Sequence, residues 1–263
     1  MESYRKSAAD SLRSLPKSER PEKLATLQLT EEYWKARAEK LKVATQTAEF
    51  SDDRTSLHLK TKNVYHGTDV GEVDEFKYAD ESTIGDNGVY FTVDPSLAMG
   101  YARLRGKERG SGNAFLYEAV LSDVNIMNWS EQKTVDLLKG EFRDYCVKAQ
   151  EELGSTDFKD FAEKYGLHGE TGKSTVEYAL KTIIAACELD NELNGGNIKL
   201  IAAGVRGVFF EKFVKSKRCD GVITIEGGDD QEHTVKPGVS VVIYNRAKIT
   251  SHRSIDITQT PSP

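Results

Sequence analysis

Val64-Tyr65-His66-Gly67-Thr68 closes one apolar run, Gly88-Val89-Tyr90-Phe91-Thr92 forms the next, and Asp94-Pro95 follows, ahead of a segment that carries Tyr101. The β-branched and aromatic content of Asn63–His66 and Gly88–Thr92 predicts two strands. The polar interval 69–87, with Gly71, Gly85 and Asp86-Asn87, predicts a loop between them. Asp94 suits a helix N-cap and Pro95 the first helical position, so a helix starts here and takes in Leu97, Ala98, Tyr101 and Ala102.

Further along, the charged, Gly-rich Arg103–Gly112 reads as a flexible loop and Ala114–Leu121 as a strand. Apolar periodicity predicts helices over 130–152, 157–165, 174–190 and 200–217, broken by Gly154, Gly166, Gly169, Gly172 and Gly195-Gly196. Cys219-Asp220-Gly221 turns the chain into a strand over Val222–Ile225. A Gly/Asp loop (Gly227–Asp230) and a strand over Val239–Tyr244 follow. On the N-terminal side, 1–28 is a loose arm, and Thr30 caps a helix carrying Tyr33, Trp34, Ala38, Leu41 and Ala44. Strands on either side of a helical block indicate an α+β domain. The expected organisation is an N-terminal helical arm (1–60), a domain over 61–250 with a helical insertion at about 130–218, and a frayed tail (251–263).

With 263 residues, 38% hydrophobic and 30% charged, the chain is long enough to bury a full core and polar enough for a soluble protein. No apolar run nears the ~20 residues that cross a bilayer, and Met1–Lys6 lacks the apolar core of a secretory signal. Cys146, Cys187 and Cys219 form no disulfide framework, which fits a reducing cytoplasm. The histidines show no metal-ligand spacing, so no metal site is expected. Residues 1–62 hold 13 Lys+Arg and 10 Asp+Glu, a charge of +3, and the remaining 23 and 32 give −9. An acidic body disfavours broad nucleic-acid binding, so a protein target is expected over a nucleic acid.

The ordered set His66-Gly67-Thr68, Gly88-x-Tyr90-Phe91 and Tyr101 resembles the nicotinamide cleft of the ADP-ribosyltransferases, in the His-Tyr-Glu branch that includes poly(ADP-ribose) polymerases and diphtheria-type toxins. The likeness spans Asn63–Leu121 and, more loosely, Cys219–Ile249. It implies a split β-sheet core, NAD as substrate, and transfer of ADP-ribose to a macromolecule by a toxin- or effector-like enzyme. It also implies that His66 bonds the adenosine ribose and that the Gly67 main chain holds the carboxamide, with no Cβ in the way. Thr68, Tyr90 and Tyr101 then complete the cofactor site, Tyr90 lining the pocket and Tyr101 stacking on the nicotinamide ring.

In that family the last strand opens on a catalytic glutamate, and Ser240 stands at this place. A serine holds a ribose hydroxyl but is no carboxylate base. Three readings stay open. His66, Tyr90 and Ser240 form the catalytic set of a weak mono-ADP-ribosyltransferase; or Glu226, Asp229, Asp230 or Glu232 supplies the carboxylate; or the domain binds NAD or ADP-ribose without turnover. An NAD glycohydrolase is a further alternative.

Two glycine motifs point elsewhere at first sight. Gly169-Glu170-Thr171-Gly172-Lys173-Ser174-Thr175 lacks the first P-loop glycine, since Leu167 stands there, and reads as a helix-capping turn. Gly106–Gly112 reads as a helix-to-strand link.

Overall fold

The computed structural model describes residues 48–71, 88–167, 172–188, 203–226 and 238–258, together with Lys35, Glu39, Leu41, Thr45 and Phe76. Strands β1 (Glu49–Phe50), β2 (Ser56–Thr68) and β3 (Val89–Thr92) lead into helix α1 (Pro95–Glu108) and strand β4 (Phe115–Asn128). Helices α2 (Gln132–Ser155), α3 (Phe158–Tyr165), α4 (Lys173–Glu188) and α5 (Ala203–Ser216) follow. Strands β5 (Gly221–Glu226), β6 (Gly238–Ile243) and β7 (Ile249–Asp256) complete the order. The architecture is α+β.

The strands form one seven-stranded set, β1-β2-β3-β6-β5-β4-β7, and a β2–β4 pairing closes five of them into a circuit. The circuit has two stout parts. β2 and β4 pair antiparallel from Ser56↔Met127 to Thr68↔Phe115, and β6 pairs with β3 and β5 along its length. Two narrow seams join the parts: Ile126–Asn128 against Gly221–Ile223 in parallel, and the single pair Tyr65↔Thr92. The sheet expected to be split is therefore continuous through these seams.

One buried cluster takes residues from all five strands of the circuit, including Val64, Phe91, Tyr117, Ile223 and Val241. A second packs the helical block on the other face of β5 and β6, through Val222 and Val242 against Leu138, Phe142 and Phe210. β6 is buried along its whole length, which is why its sequence reads as an unbroken apolar run.

Three element readings change. β2 begins at Ser56, so the boundary expected at residue 60 falls inside a strand. α1 continues to Glu108, through half of the loop expected at 103–112. Residues 251–256, expected to fray, lie in β7, which pairs with β4 from Phe115↔Asp256 to Leu121↔Ile249. Thr30, Tyr33, Trp34, Ala38 and Ala44 of the arm and the turn at Gly169–Thr171 lie outside the described residues. No described helix is long and apolar enough to cross a membrane.

Candidate functional site

β2 and β3 meet at Tyr65↔Thr92 alone. The same register carried onward would set Gly67 against Tyr90 and Thr68 against Val89, yet no ladder joins them, and the strands part. At the apex of the gap the Tyr90 carbonyl accepts a hydrogen bond from His66 Nδ1, 2.7 Å away. A carbonyl only accepts, so Nδ1 carries the proton and a neutral ring keeps its lone pair on Nε2. Nε2 has no hydrogen-bond partner among the described residues. Burial holds the imidazole pKa below its ordinary range against the pull of the Tyr90 bond, and the Arg105 charge lowers it further. The ring is braced edge-on by Phe76 at 5.6 Å and Phe91 at 6.1 Å.

α1 sits on the far side of β2. Asp94 caps it by accepting from the Ser96 amide at 2.8 Å, with Pro95 in the first turn. Its small residues Ala98, Ala102 and Gly106 form one buried stripe, and small side chains let a helix backbone approach closely. The approach is extreme at Gly67, where a Cβ would lie 1.8 Å from the Ala98 carbonyl oxygen and 2.8 Å from the Ala102 nitrogen. The space a side chain at Gly67 would take is thus filled by the α1 backbone.

The neighbouring stripe of α1 carries Leu97, Tyr101 and Arg105. Leu97 reaches the start of β6, since a Cβ on Gly238 would lie 2.2 Å from its Cδ2. Tyr101 is half-buried on this stripe. Thr68 uses its hydroxyl locally, accepting from the Val70 amide at 3.3 Å. The next residue, Asp69, is nearly buried. It takes Arg109 Nη1 at 3.1 Å and the Ser111 hydroxyl at 3.3 Å, which ties the turn after α1 to the end of β2.

Ser240 is buried, at 3% exposure, and pairs with Thr92 on one side and Thr224 on the other, both also buried. Residues directly opposite share a face, so the three hydroxyl-bearing side chains form a row. Tyr90 lies on the same face as Ser240, two residues from Thr92, and its ring packs against the helical cluster. Phe91 points the other way, to His66. The site therefore straddles β3: His66 on one side, Tyr90 and Ser240 on the other, joined through the Tyr90 carbonyl. Glu226 pairs through its main chain with Gly238, one pleat repeat beyond Thr224. Its side chain, and Asp229, Asp230 and Glu232, lie outside the described residues. No described cluster of His, Cys, Asp or Glu is arranged to hold a metal ion.

Sequence reasoning missed Arg105, Phe76 and the Asp69–Arg109 pair. Arg105 was legible as the residue four beyond Tyr101, hence on its helical stripe.

No protein-family model matches the chain, and no curated protein matches it. Among solved structures, the chain is similar to one in the crystal structure of the M. tuberculosis MbcT-MbcA toxin-antitoxin complex. The match is at 9% identity and a TM-score of 0.33, over 76% of this chain and 86% of that one.

Proposed function

We propose that this protein is a mono-ADP-ribosyltransferase that cleaves NAD in the gap between β2 and β3 and transfers ADP-ribose to a protein target. The observation that carries this reading is the imidazole at the apex of the parted strands, fixed through Nδ1 by the Tyr90 carbonyl with Nε2 turned away from that bond. A lone pair on an aromatic nitrogen suits a ribose hydroxyl, which must donate. The main-chain edge of β2 beyond Tyr65 suits a carboxamide, which both donates and accepts. Tyr90 and Tyr101 offer aromatic faces, on which a pyridinium gains about 0.5–2 kcal/mol beyond burial.

In the reaction the bond between C1′ of the ribose and the nicotinamide nitrogen breaks. Nicotinamide leaves neutral with the electron pair, and the ribose passes through an oxocarbenium-like state. The target nucleophile bonds to C1′ and loses its proton to solvent. No metal is required; positioning and electrostatics do the work. Ser240 takes the third position as a hydrogen-bonding group for a ribose hydroxyl, so turnover is slow.

A second reading, a module that binds NAD or ADP-ribose without turnover, is favoured by the burial of Ser240. Titration calorimetry with NAD, a nicotinamide-release assay and labelled NAD in a cell lysate separate the possibilities. Binding, release and label on protein support the transferase. Binding alone supports the module, and free ADP-ribose alone a hydrolase. Tyr90→Ala and His66→Ala are each expected to abolish release while the fold survives, and retained release in both counts against the cleft.

A further inference from the structure

We propose that Arg105 binds the diphosphate of the dinucleotide and makes this cleft prefer a dinucleotide to a phosphate-free nicotinamide nucleoside. This rests on the NAD reading of the cleft.

The geometry begins with α1. Its backbone touches β2 at Gly67, and Leu97 covers the start of β6 at Gly238. The helix therefore starts at the closed end of β3 and runs along β2, past Gly67 and on to Asp69, which holds Arg109. Leu97, Tyr101 and Arg105 follow one another at intervals of four and share one flank of it. That flank adjoins the small-residue stripe seated on β2, so a ligand stacked near Tyr101 has Arg105 one turn further along.

The cations of this segment are otherwise accounted for. Arg109 is held by the nearly buried Asp69, and Arg103 has an interaction of its own. Lys107 shares the last turn with Arg105 but lies off the Leu97–Tyr101–Arg105 stripe. Arg105 has a partner that yields easily. Its Nη1 lies 3.4 Å from Glu108 Oε2, with both side chains about 45% exposed, and such pairs contribute little. The Arg105 charge is also felt at His66. A planar guanidinium matches phosphate oxygens two at a time. In a body whose residues 63–263 carry −9, an anion of two charges needs such a local cation.

The test compares NAD with nicotinamide riboside, which lacks phosphate, by calorimetry on the full chain. Arg105→Gln is expected to weaken NAD about 10–100-fold and to leave nicotinamide riboside within about twofold. Arg105→Lys is expected to restore part of the loss, since it keeps the charge without the fork. Equal weakening of both ligands, or unchanged NAD affinity, overturns the assignment and leaves the NAD cleft standing. A wild-type chain that binds neither ligand overturns both.

Discussion

The His66 ring and the Tyr90 main chain are joined by one hydrogen bond of 2.7 Å. It spans the place where β2 and β3 cease to pair. The bond gives the Tyr90 carbonyl a donor where β2 draws away from β3. It also selects the imidazole tautomer. Strand geometry and site chemistry therefore share one contact.

Acid should act through this contact. Burial keeps the folded-state pKa of His66 below its ordinary value of about 6.5. The unfolded chain thus binds more protons in the window between the two, and stability rises with pH there. The contribution is fully present above about pH 6.5 and is lost as pH falls through the folded-state pKa. NAD affinity should be flat above pH 6.5 and decline as pH falls through the folded-state pKa, where Nε2 gains a proton and ceases to accept. Calorimetry at pH 5, 6, 7 and 8 checks this, and affinity that rises on acidification rules out the neutral ring.

Gly67→Ala should destabilise the fold whatever it does to a ligand. The new Cβ meets main-chain atoms of α1, the nearest at 1.8 Å, and no rotamer relieves a clash with backbone. A cost of about 3 kcal/mol, the upper part of the overpacking range, is expected. At this chain length it lowers Tm by about 6–12 °C. A variant as stable as wild type would mean that α1 is not seated on β2.

Asp69 offers a test of the cleft's rim. With its side chain only 7% exposed, the carboxylate depends on Arg109 and Ser111. Arg109→Gln leaves a nearly buried charge with one hydroxyl partner, and a loss of about 1–3 kcal/mol is expected. Asp69→Asn combined with Arg109→Gln should cost less than the two single losses added together, because the second change removes the stranded charge. Chemical denaturation of the four proteins measures the coupling, and strict additivity would show the pair to be idle.

How far the sequence disclosed this arrangement depends on what each segment buries. The cap at Asp94-Pro95 was legible because its signal is local and chemical. β3, β5 and β6 were legible because both their faces are covered, which forces apolar runs. β7 was not, since seven of its eight residues are exposed. It is held by the β4 ladder and by the Glu118–Arg253 pair, leaving no alternation to read. The end of α1 was missed because a helix pressed against a strand needs small residues, and Gly106 reads as a breaker until the Asn113 carbonyl, 2.1 Å from its absent Cβ, supplies the reason. The His66–Tyr90 bond was beyond reach, since strand divergence leaves no mark in composition.

On the proposed NAD reading, Ser240 sets what chemistry the cleft can do. It lies between Thr92 and Thr224 on neighbouring strands, and Thr92 already donates its hydroxyl to the Val239 carbonyl at 2.8 Å. A hydroxyl in such a row can orient a ribose but cannot take up a proton at neutral pH. Ser240→Ala therefore removes one hydrogen bond and should slow nicotinamide release by about tenfold, the equivalent of roughly 1.4 kcal/mol. Glu226→Gln should leave release within about threefold if Ser240 is the third member of the site. Both rates come from single-turnover measurements at saturating NAD, which separate chemistry from binding. A hundredfold loss in Glu226→Gln beside a near-normal Ser240→Ala would transfer the role to the carboxylate at the end of β5. The enzyme would then have a true base, and slow turnover would no longer be expected.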